Sequence, residues 1–164
     1  MNKSKQLFTL IKSEGELEVS IKEVDVSEPK PHEVIVRMEA SPINPSDMWP
    51  MFGPASLDKA TFDASKNALV APVHKSMLMR IKSRVDQTLP IGNEGAGTVV
   101  GAGDSPEAQA LMGKTVSILT GAAYTEYACV PAQACLPHME STTAQQAASS
   151  FVNPCLFGLA HPDL

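Results

Sequence analysis

The stretch Gly92-Asn93-Glu94-Gly95-Ala96-Gly97-Thr98-Val99-Val100-Gly101-Ala102-Gly103 decides how this chain is read. Thr98, Val99 and Val100 are strand formers set among glycines. That mixture describes a strand that bends, or one that other backbone approaches closely. It is not the phosphate-binding GxGxxG fingerprint. Counted from Gly95, the third glycine place is Val100; counted from Gly101, it is Pro106. Neither segment leads into the helix of a βαβ unit, which that fingerprint requires. The glycines therefore read as structural.

Short strands flank this segment. Towards the N-terminus, Val34, Val36, Met38 and Ala40 alternate with Glu33, Ile35, Arg37 and Glu39, which predicts a strand over His32 to Ala40 with one apolar face. Leu7 to Ile11 and Leu17 to Val26 predict two more. The apolar phase of the second slips at Glu23, which reads as a bulge. Pro42 and Pro45 end the His32–Ala40 strand, and Asn44-Pro45-Ser46-Asp47 can start a helical turn running to Phe52. Ser56 to Asn67 reads as a polar insertion and Ala68 to Val73 as a short strand. Ser76 to Val85 fits an amphipathic helix with Leu78, Ile81 and Val85 inward and a basic face of Lys75, Arg80, Lys82 and Arg84. Such a face attracts anions or simply faces water.

Beyond the glycines, Ser105 to Leu111 fits a helical turn. Lys114 to Leu119 and Tyr124 to Val130 fit strands joined by a turn at Gly121. Thr142 or Thr143 with Gln145 or Gln146 forms a capping box, and Ala144, Ala147, Ala148 and Phe151 follow at helical spacing up to Pro154. The expected fold is mainly β: a barrel or sandwich with a few short helices and a C-terminal helix.

The 164 residues suit one domain with its own core. Thirteen basic against 18 acidic residues give a net charge of −5, which argues against a general nucleic-acid or anionic-membrane binder. Apolar runs fall far short of a membrane span. Cys129, Cys135 and Cys155 lack CxxC spacing and read as reduced, inert thiols of a cytoplasmic chain.

Gly92-x-Glu94-x-x-Gly97-x-x-x-x-x-Gly103 resembles the signature of the zinc-containing alcohol dehydrogenases of the medium-chain dehydrogenase/reductase superfamily. The order of the flanking segments agrees over roughly residues 5 to 154. The resemblance implies the catalytic domain, a GroES-like (chaperonin-10-like) partly open β-barrel. It also contains departures. The family's histidine ligand falls at Asn93 and its cysteine ligand at Asn44, and neutral amides are poor substitutes for imidazole and thiolate. His32, His74, His138 and His161 have no ligand spacing, so no metal is expected.

Asn44-Pro45-Ser46-Asp47 resembles instead the zinc-independent quinone oxidoreductases and the related enoyl reductases, which transfer hydride from NADPH. The resemblance implies that Asn44 and Asp47 lie beside substrate and nicotinamide as the catalytic-site residues. It further implies that Asn93 and Glu94 line the former metal pocket. Trp49 and Phe52 can form an apolar substrate wall, or simply core. Asn44 and Asp47 can equally be plain caps of a helical turn. The tyrosine that enoyl reductases place soon after this element is missing, which favours the quinone-oxidoreductase branch; Tyr124 and Tyr127 lie in a later strand.

In this superfamily a Rossmann domain follows the barrel. Phe151-Val152-Asn153-Pro154 resembles the hinge into it, which puts Asn153 on the cofactor side. Residues 155–164 are too few for a βαβ unit. The expected organisation is a GroES-like domain over 1–153 and a short tail over 154–164, with no cofactor bound by this chain alone. Three readings follow: a domain not catalytic by itself, the substrate half of an NADPH-dependent quinone or enone reductase completed by a Rossmann domain on another chain, and a small-ligand or protein-binding module. Open strand edges or the C-terminal helix are expected to favour a homodimer.

Overall fold

The computed structural model describes residues 3–156. Its strands are β1 (Lys3–Lys12), β2 (Glu16–Asp25), β3 (Glu33–Ala40), β4 (Thr61–Asp63), β5 (Ala68–Pro72), β6 (Thr88–Pro90), β7 (Glu94–Ala102), β8 (Thr115–Leu119), β9 (Tyr127–Pro131) and β10 (Cys135–Pro137). The short helices are α1 (Pro45–Phe52), α2 (Lys75–Leu78), α3 (Pro106–Gln109), α4 (Ala144–Ala147) and α5 (Val152–Leu156). The strands form two antiparallel sheets, β4-β5-β2-β1-β6 and β10-β8-β7-β3-β9. Residues 124–126 join the sheets into a partly open barrel. Leu7 N–H donates to the Tyr124 carbonyl at 2.9 Å, and Glu126 N–H to the Lys5 carbonyl at 3.0 Å.

The second sheet carries the larger core. The alternation in β3 holds: Val34 and Val36 are fully buried and pack with Val99, Val116, Ile118 and Val130. The glycine-rich strand is β7, and its glycines have the expected steric cause. A Cβ on Gly97 would lie 1.9 Å from the Arg37 carbonyl oxygen on neighbouring β3. The β3–β7 register also shifts twice, between Ile35 and Val36 and between Met38 and Ala40. Ser105 caps α3 through Ala108 N–H, as a helical turn there requires.

Several expectations are corrected. No bulge interrupts β2, because β1 and β2 pair continuously from Lys3↔Asp25 to Lys12↔Glu16. The apolar phase changes because the covered face changes. Ile11 and Leu17 point into the first sheet's core, whereas at the other end Ser4 is buried against Thr125 and Ile21 is exposed. The polar insertion contains a 3-10 turn, Leu57–Lys59, and edge strand β4. The helix over 76–85 is broken: α2 passes into a 3-10 segment, Met79–Arg84, with Ile81 off helical geometry. Its spacing still identified the inward residues, since Leu78, Ile81 and Val85 all join the first sheet's core. Of the basic face, Arg84 is partly buried and donates to the Trp49 and Pro50 carbonyls at the end of α1. β8 and β9 are not neighbours, because β7 and β3 lie between them.

The C-terminal helix is shorter than its periodicity predicts. Thr143 and Gln146 form the capping box, yet α4 ends at Ala147. The Ala147 carbonyl is taken by the hydroxyls of Ser117 at 2.6 Å and Ser150 at 2.7 Å. Pro154 does not stop a helix. It sits in the first turn of α5, where proline's missing N–H has no intrahelical partner to lose. The side chain of Cys155 and residues 157–164 lie outside what the structure describes. No helix among the described residues is long and apolar enough to cross a membrane.

Candidate active site

Three loops converge where the two sheets meet. The first runs from β3 into α1, the second from β6 into β7, and the third leads to Tyr124. Asn44 is the N-cap of α1, and Pro45 at the first helical position supplies the preset φ. The Asp47 carboxylate reaches back to Asn44 N–H at 2.8 Å, the acidic half of a capping arrangement. The other Asp47 oxygen accepts the Asn93 N–H at 3.0 Å, which fixes the second loop against the first. Asn93 Nδ2 donates to Ser46 Oγ at 2.9 Å, and Asn44 Nδ2 donates to Glu94 Oε1 at 3.1 Å. Glu94 Oε2 accepts two backbone N–H groups, from Phe151 at 2.8 Å and Val152 at 3.0 Å.

Asn44, Asp47, Asn93 and Glu94 are thus brought into one hydrogen-bonded group. Asn44 is 4% exposed, Asp47 1% and Glu94 0%. Asp47 and Glu94 are held by N–H and O–H donors, the arrangement that offsets the cost of burying a carboxylate. The helical-cap and site readings of Asn44 and Asp47 are therefore compatible: the cap is what orients them.

Trp49 and Phe52 leave the group in different directions. Trp49 is about half exposed on α1, while Phe52 packs partly buried on the first sheet's core. The Asn153 side chain, on α5, hydrogen-bonds to Ser149 Oγ. Tyr124 is the residue that sequence reasoning left outside the site. Its hydroxyl lies 3.1 Å from Asp47 Oδ2 and 3.0 Å from the Pro42 carbonyl oxygen, so its single proton has two acceptors within reach. Burial, and then the neighbouring Asp47 charge, raise its pKa well above the usual phenol value. It therefore serves as a hydrogen-bond donor and not as a base. Gly92, at φ +107°, permits this approach, since a Cβ there would lie 2.6 Å from Tyr124 N. No local spacing could have flagged Tyr124, which is 77 residues from Asp47.

Among the described residues no three His, Cys, Asp or Glu side chains gather as a metal set. The amides at 44 and 93 turn Nδ2 donors towards Glu94 and Ser46, which is not how a cation's ligands are arranged. A dinucleotide pyrophosphate is usually held at the start of a helix after a glycine-rich turn from a parallel strand. Here, among the described residues, all ladders are antiparallel and the longest helix has eight residues. These residues do not fit that group. Cys129 and Cys135 stay protonated: burial raises both thiols, Cys135 to about 11, and the nearby Glu33 carboxylate adds to the effect at Cys129.

No family model matches the chain, and no curated protein matches its sequence. Solved structures do match. A protein described as an NADPH:quinone reductase from Mesorhizobium loti aligns over 97% of this chain at 23% identity and a TM-score of 0.62. One of the same description from Bacillus thuringiensis aligns over 97% at 24% identity and 0.65. The CurF ER cyclopropanase of the curacin A biosynthetic pathway aligns over 98% at 18% identity and 0.63. The chain spans 44%, 40% and 43% of those three structures, respectively. At such identities the likeness is one of fold. The chain has a mainly β, GroES-like fold, shared with part of each of these structures.

Proposed function

We propose that this chain is the substrate-side domain of a zinc-independent, NADPH-dependent quinone or enone reductase type, inactive until a dinucleotide-binding domain is supplied. The observation that carries the reading is the closed group Asn44–Asp47–Asn93–Glu94, with amides at the two places where the sequence resemblance puts the zinc enzymes' ligands, inside a fold common to reductase structures. In this reading Asn44 and Asp47 border the substrate, and Trp49 offers an apolar surface beside them. The chemistry of a complete enzyme, hydride transfer, belongs to the bound NADPH, and no step of it is derived from these residues. NADPH oxidation with a panel of quinones tests the reading, first with this chain alone and then with a Rossmann domain added. The expected result is background rate alone and a quinone-dependent rate with the added domain. Micromolar NADPH binding to this chain by calorimetry would overturn it.

A second reading, a small-ligand module, is favoured by one feature. Leu7, Ile21 and the Tyr124 ring line an apolar groove of about 390 Å³, flanked by Lys5 and Glu126. Ligand density in this groove, with no rate in the reconstituted assay, would select it over the first.

A further inference from the structure

The apolar spacing of residues 144–151 specifies one continuous helix, yet the chain makes two short ones. The bond that would continue α4 runs from Phe151 N–H to the Ala147 carbonyl, and both of its ends are diverted. The carbonyl accepts the Ser117 and Ser150 hydroxyls. The Phe151 N–H donates instead to Glu94 Oε2, which also receives Val152 N–H, the first residue of α5. The other Glu94 oxygen holds the Asn44 side-chain amide. Glu94 is fully buried on the first residue of β7. A rigid sheet element therefore presents one carboxylate to the helix break on one side and to the candidate site on the other.

We propose that Glu94 is a positioning residue. It breaks the encoded helix, fixes the direction in which α5 leaves the barrel, and sets the Asn44 amide to that same carboxylate. This follows from the hydrogen-bond geometry and stands whether or not the reductase reading holds. A carboxylate oxygen can accept two N–H groups at once, and an amide oxygen can do the same. A thioether of similar size cannot. Once Met replaces Glu94, the Phe151 N–H has no carbonyl to return to, because Ala147 O stays occupied.

Amide-resolved hydrogen exchange by NMR on the full chain tests this. N–H groups of a helix's first turn normally lack intrahelical partners and exchange fast. In the unaltered protein Phe151 and Val152 should exchange at least tenfold more slowly than Asn153, which Glu94 does not hold; equal rates at the three would overturn the proposal. In Glu94→Met, Phe151 and Val152 should speed up at least tenfold while Val34 and Val36 in β3 keep their protection. In Glu94→Gln, both should stay within about threefold of the parent, with the Asn44 side-chain resonances shifted as its amide turns to face a donor. Protection retained in the Met variant would mean that Glu94 only fills space, and protection lost equally in both would mean that an acceptor oxygen at this place is not what holds these N–H groups; either result overturns the proposal. If the Met variant does not fold, the comparison within the unaltered protein decides alone.

Discussion

The second sheet buries Val34, Val36, Val99, Val116 and Ile118 at 1% exposure or less, and its strands approach so closely that β7 needs glycine where it passes β3. The first sheet gathers a smaller set, Ile11, Leu17, Val73 and Ile81, and it sinks Ser4, Thr9 and Ser20 while leaving Ile21 half exposed. Its buried hydroxyls reach outward: Thr9 donates to the Met51 carbonyl at the end of α1, and Ser4 meets Thr125. One sheet is held by close packing on its own interior. The other is held in good part by what it grips at the seam, where the candidate site lies. The same antiparallel architecture therefore has a steric half and a polar half, and substitutions should separate them.

The largest effect is expected from Gly97→Ala. The obstacle to its Cβ is the Arg37 backbone 1.9 Å away, not a side chain that could rotate. The variant should lose on the order of 4 kcal/mol in urea denaturation, or fail to fold. A midpoint equal to the parent's would show that the second sheet has slack and would break the contrast. Truncating the two cores comes next. Ile118→Ala, at 0% exposure, should cost about 3 kcal/mol, and Ile81→Ala, at 7% in the smaller core, about 2 kcal/mol. Equal losses would mean that both sheets depend on packing alike.

The same contrast explains what could be read from sequence. β3 was legible because one face is buried along its whole length, so alternation maps directly onto Val34 and Val36. The β1–β2 hairpin was less so. Its covered face switches between Leu17 and Ser4, and a change of neighbours looks in sequence like an inserted residue. Over 76–85, helical spacing told which residues turn inward but not that Ile81 leaves helical geometry, because inward direction is what apolar spacing encodes. The break between α4 and α5 depends on Ser117 and Glu94, both distant in sequence, and nothing local announces it. Of the site, a motif supplied Asn44, Asp47, Asn93 and Glu94. Tyr124 emerges only when the third loop folds over Asp47.

Tyr124→Phe probes the seam itself and should give the smallest loss. It removes the hydroxyl that ties Asp47 to the Pro42 carbonyl and leaves the ring in place. The cost near neutral pH should be about 1–2 kcal/mol. Its pH dependence distinguishes this bond from packing. Burial and the Asp47 charge keep the native phenol protonated above its ordinary pKa, so the unfolded chain releases that proton first. The stability the hydroxyl contributes is therefore whole below a pH of about 10, the ordinary phenol value, and declines as pH rises through the native one. Denaturation midpoints of parent and variant should differ by a constant amount up to that point and converge above it. A difference that stayed constant into the alkaline range would assign the loss to packing and place the seam with the steric half of the molecule.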